Sequence, residues 1–100
     1  MHIEIHSDGK LSLKDIENFK GFSIIDGTNG TALLELSAIA EPAEERHYWI
    51  DADSVIQLSA KSTDPLWVES FWSMLRAVEP YGYADMTLKR VKAHIEPAQN

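Results

Sequence analysis

One hundred residues, 44% apolar, with sixteen acidic and nine basic side chains, suit one domain built on one core. The absence of cysteine excludes disulfides, thiolate chemistry and cysteine-ligated zinc, and the formal charge of −7 sets the surface against nucleic acid and anionic membrane. No apolar run approaches the roughly 18 residues of a membrane span. The opening MHIEIHSDGK lacks the basic and continuous apolar regions of a signal peptide, so a cytoplasmic protein is expected.

Met1 to Ser7 alternates, with Ile3 and Ile5 on one side and His2, Glu4 and His6 on the other, which predicts a strand with one wet face. Asp8-Gly9 is a turn. Ser12 reads as the opening of a short helix, with Asp15 three residues on as its capping-box partner. Leu13, Ile16 and Phe19 would line its inner side, and Gly21 would end it.

Phe22 to Ile25 and Thr31 to Ile39 flank Asp26-Gly-Thr-Asn-Gly30, and two β-prone runs around such turn chemistry predict a hairpin. The second run has helical propensity too; strand is preferred because of the turn signal. Glu41 to Glu45 is an acidic loop. His47 to Asp51 resumes a strand, after which Asp53 would cap a brief helix holding Val55, Ile56 and Leu58, with a second hairpin arm as the competing reading.

Asp64-Pro65 marks the best-bounded element, a helix with an acidic N-cap and proline at its first position, closed by Pro80 and Gly82. At about 100° per residue, Trp67, Val68, Phe71, Trp72, Met74, Leu75 and Val78 fall on one arc, and Leu66 strays from it. Val91, Ala93 and Ile95 then alternate with Arg90, Lys92, His94 and Glu96 in a final strand. The basic run Lys89, Arg90, Lys92 is therefore the solvated face of a strand rather than a phosphate site.

These elements predict a single α+β domain over residues 1–100. Its antiparallel or mixed sheet would have four to five strands, with the long helix (about 65–79) on one face and one or two short helices. Adjacent first and last strands would let Glu4 meet Lys92.

Few residues suggest chemistry. His2, Glu4 and His6 put three metal-capable groups on one strand face, and His47 and His94 would join them only from neighbouring strands on that face. A polar strand face is the preferred reading, with no metal or other cofactor expected. Tyr48 to Val55, YWIDADSV, resembles the first motif of haloacid-dehalogenase-type phosphotransferases, in which a strand presents two aspartates. The resemblance covers about eight residues, and the 47 that follow Asp53 do not supply that family's larger domain, lysine and magnesium-binding acids. Asp51 and Asp53 are accordingly read as turn formers or helix caps.

No nucleophile motif or phosphate cradle is present, so a non-catalytic protein is preferred over an enzyme. The surplus of aromatic surface points to contact with a protein partner or a second copy, through the Trp72 margin or an open sheet edge. Tyr48, Trp49, Tyr81 and Tyr83 are further candidate contacts. The alternative is a small-ligand-binding protein or minor enzyme with a pocket between helix and sheet. His94, Tyr48 or Tyr83 would be its polar contacts, and Trp67 and Trp72 its fluorescent reporters.

Overall fold

A computed structural model describes residues 1–28 and 36–97. Among them are seven strands in one mixed sheet: β1 His2–Ile5, β2 Leu11–Lys14, β3 Ser23–Asp26, β4 Ala40–Pro42, β5 His47–Asp51, β6 Ala84–Asp85 and β7 Arg90–Pro97. Two α-helices accompany it, α1 Ala52–Ser59 and α2 Pro65–Val78, and a 3-10 turn Glu79–Tyr81 extends α2. The strand order is β2-β1-β3-β7-β5-β4, with the short β6 also paired to β7. The α+β class and the mixed sheet are as expected, but seven strands replace four to five. No helix among the described residues is long and apolar enough to cross a membrane.

The sheet is built from alternation. Ile3, Ile24, Ile50, Val91 and Ala93 are buried on one face, where they join Val55, Ile56, Trp67, Phe71 and Leu75 of the two helices in one apolar cluster. The opposite face carries the polar partners in each strand, because successive side chains point to opposite sides.

Asp64 caps α2 as its sequence predicts, accepting bonds from the N–H groups of Leu66 and Trp67 at 3.1 Å each, with Pro65 in the first turn. The helix reading of the 53–60 segment also holds, but its cap is Asp51 rather than Asp53. Asp51 ends β5 in extended geometry, and its carboxylate accepts from the N–H and hydroxyl of Ser54 at 3.0 and 2.7 Å. The helix therefore opens at Ala52, directly off the strand.

Three further expectations are corrected. Ser12 does not open a helix, because Leu11–Lys14 pairs antiparallel with β1, Ile3 opposite Leu13 and Ile5 opposite Leu11. Ladder bonds to β1 outweigh the local capping signal, and Ser12 Oγ lies 2.7 Å from His6 Nε2 across the hairpin. Asp15 forms a turn at φ 51° instead of a capping box. Leu13 is still buried, and Ile16 and Phe19 still pack on the core.

The second correction is at β3, both of whose flanks are taken by parallel partners, β1 and β7, leaving no side for the expected hairpin arm. Of the 31–39 run, residues 31–35 lie outside the described residues, Leu36 and Ser37 are helical, and Ala40 opens β4 against β5. Third, β3 separates β1 from β7, so Glu4 does not meet Lys92. Glu4 lies 3.5 Å from His2 and 3.8 Å from His6, while the Lys92 ammonium binds Glu44.

Candidate functional site

The topology leaves a notch beside β7. Its flank is occupied near Val91 by β6 and from His94 onward by β3, with Lys92 and Ala93 between. Phe22, which leads into β3, and Tyr83, which leads into β6, stand on either side of this gap. The C-terminal part of α2 and its 3-10 extension close a third side.

The result is a slot of about 400 Å³ walled by Phe22, Met74, Val78, Tyr81, Tyr83 and Val91, with Lys20, Gly21 and Lys92 completing it. Its backbone frame is tied together. The N–H of Tyr83 donates to the Val78 carbonyl at 3.2 Å, and the N–H of Lys92 donates to the Tyr83 carbonyl at 2.8 Å. The Glu79 carboxylate accepts a bond from the N–H of Met86 at 2.7 Å, which fixes the turn after α2. Two of the tyrosines face out strongly: Tyr81 is 78% exposed and Tyr83 50%.

The residues singled out from sequence do not form one site. Tyr81 and Tyr83 come together at the slot. Tyr48 is on the helix-covered face of the sheet, where it packs on the core. Trp49 is on the opposite face beneath Arg90 and Lys92, 4.3 and 5.1 Å from its ring centre. Trp72 is half-buried, edge-on to Phe71 at 5.8 Å. His94 is also on the polar face, so of the contacts expected for a helix–sheet pocket only Tyr83 lines one. Trp67 and Trp72 do not line it either, and neither is positioned as its reporter.

Trp49 belongs to a second concavity of about 390 Å³, bordered by Ile39, Glu41, Asp51, Leu88 and Arg90. Its charges already meet one another. Arg90 donates to Glu41 at 2.7 Å and lies 3.7 Å from Asp85, and its Nε is the one buried side-chain nitrogen or oxygen without a hydrogen-bond partner among the described residues. A guanidinium stacked on an indole and held by two carboxylates is a structural clamp between β4, β6 and β7.

All four histidines lie on the polar face of the sheet. His2 is level with Ser23, Ser23 with His94, and His94 with His47, so one row crosses four strands. His47 and His94 are direct cross-strand neighbours with ring centres 5.2 Å apart. The N-terminal triplet is otherwise engaged. His6 Nε2 meets Ser12 Oγ, while His2 has Glu4 at 3.5 Å and Asp15 at 3.8 Å from its two nitrogens. Among the described residues no three His, Asp or Glu side chains are grouped to hold a metal ion.

Sequence reading named the tyrosines but missed the slot, because Phe22, Met74, Val78 and Val91 belong to segments that only strand order brings together. Each carried the signal of a core residue. No protein-family model, no curated protein and no solved structure matches the chain.

Proposed function

We propose that the chain is a binding domain that engages a protein partner, a second copy of itself among the candidates, through the slot bordered by Tyr81 and Tyr83. The observation that carries this reading is the pairing of two outward tyrosines with an apolar interior of Phe22, Met74 and Val78. Tyrosine offers large contact area at small entropic cost, and interface anchors are enriched in rings that rim pockets. An apolar side chain of the partner would enter the slot while the phenol hydroxyls stay at its wet edge. The contact surface moves accordingly from the Trp72 margin, where the indole already packs on Phe71, to the end of α2.

A photo-crosslinking side chain introduced at position 81 or 83 tests the proposal, with Leu66 (81% exposed, in the first turn of α2) as the control position. A discrete adduct from positions 81 and 83, and none from 66, is expected. An adduct of twice the chain mass would identify the second copy. The same pattern from all three positions would overturn the reading.

A second reading, that the slot takes a small apolar molecule, draws on one observation: its volume of about 400 Å³ falls in the range of small-molecule pockets, roughly 300–1,000 Å³. Native mass spectrometry separates the two. Added mass of metabolite size that Val78→Trp removes would favour this reading over the first.

A further inference from the structure

We propose that His47 and His94 together bind a divalent transition-metal ion of the zinc, nickel and copper class through their Nε2 atoms. Three independent features of the polar sheet face converge on this pair.

The first is register. His47 and His94 stand directly opposite each other in the antiparallel β5–β7 ladder, on the same face. Directly opposed residues keep their Cβ atoms about 4.5–5.5 Å apart, so the strands themselves hold the two rings near each other.

The second is spacing. With metal–nitrogen bonds of about 2.0–2.1 Å, two imidazoles on one tetrahedral ion hold their ring centres about 5 Å apart. The two rings stand 5.2 Å apart, inclined at 61°.

The third feature distinguishes this pair from the other histidines. His47 Nδ1 lies 2.8 Å from the backbone carbonyl of Glu45, which can only accept, so Nδ1 carries the proton. His94 Nδ1 lies 3.4 Å from the Glu96 carboxylate, an acceptor that favours the same tautomer. Both rings therefore present an Nε2 lone pair, and both have the carbonyl or carboxylate behind Nδ1 that metal-ligating histidines carry. His2 and His6 do not share this arrangement, since Ser12 or Glu4 meets their Nε2 atoms. Imidazole nitrogen suits zinc, nickel and copper, and two protein ligands leave the remaining positions to water.

The test is calorimetric titration of metal-free protein with zinc chloride. One ion per chain is expected. His47→Ala and His94→Ala should each weaken binding at least tenfold, and Glu96→Gln should weaken it by about tenfold through loss of the support behind His94. The double variant His2→Ala, His6→Ala should bind as the wild type does. An absence of binding up to millimolar zinc would overturn the proposal, as would affinity unchanged in the His47 and His94 variants or lost in the N-terminal double variant. A second measurement needs no variant: long-range nitrogen–proton spectra of the imidazoles should show Nδ1–H in both rings and a zinc-dependent shift at both Nε2 atoms. An Nε2–H tautomer in either ring would contradict it.

Discussion

The indole N–H of Trp67 donates to the backbone carbonyl of Ile16 at 2.8 Å, tying the first turns of α2 to the crossing segment between β2 and β3. The same indole stacks on Phe71, with centres 5.5 Å apart and planes 9° apart, and meets Phe19 at 5.8 Å. One side chain thus holds a loop without regular structure against the helix by both packing and a hydrogen bond. Trp67→Phe retains most of the packing but leaves the Ile16 carbonyl without its donor. Urea denaturation should show a loss of about 1–3 kcal/mol, the cost of an unsatisfied partly buried acceptor. A loss below about 0.5 kcal/mol would mean that water replaces the indole.

Ala60 closes α1 in the left-handed region at φ 59°, with its N–H bonded to the Gln57 carbonyl. A Cβ is disfavoured there, and glycine is the residue that helix ends of this geometry prefer. Ala60→Gly is therefore expected to stabilise the protein by about 0.5–1 kcal/mol, an increase visible in the thermal midpoint, after the extra unfolded-state entropy of glycine is set against the relieved strain. A fall in the midpoint would show that the α1 terminus relaxes around alanine at no cost.

Much of the architecture was legible where one local signal stood alone. The alternation of Ile3 and Ile5, and of Val91, Ala93 and Ile95, has only one reading, and Asp64-Pro65 opens α2 as its capping chemistry requires. Leu11 to Lys14 reads wrongly as the opening of a helix because four residues carry too few periods to show a strand, and pairing with β1 decides it. Strand order was beyond reach for a different reason. The insertion of β3 between β1 and β7 is a long-range arrangement of strands that each look alike in pattern. The slot and the His47–His94 pair are both products of that order, so their members were visible one by one and their meeting was not.

Gly27 continues the parallel pairing of β3 past Asp26, and its N–H donates to the Ile5 carbonyl at 2.8 Å. A Cβ at this position would stand 2.5 Å from the same carbonyl oxygen, a backbone atom that cannot swing aside. Gly27→Ala must therefore separate the ends of β1 and β3 or break the bond between them. A destabilisation of about 1–3 kcal/mol is expected in chemical denaturation, within the range for overpacked sites. Gly21, around which no atom lies within 4 Å of such a Cβ, is the matched control, and Gly21→Ala should cost far less.

The Lys92 ammonium bonds the exposed Glu44 carboxylate across the sheet edge, and that bond, with the attraction of the charge itself, holds the carboxyl below its ordinary range. The folded state consequently binds fewer protons at Glu44 than the unfolded chain does at acidic pH. Stability from this group is present above the ordinary carboxylate value and is lost as pH falls through the lowered one. The wild type should exceed Glu44→Gln in stability near neutrality, and the difference should shrink as the pH is lowered, because a protonated Glu44 resembles glutamine. The carboxyl resonance of Glu44 gives the same information directly, with a midpoint that Lys92→Met returns toward the ordinary value. A stability difference that widens with acid, or a midpoint indifferent to Lys92, would show that water, not Lys92, is the carboxylate's effective partner.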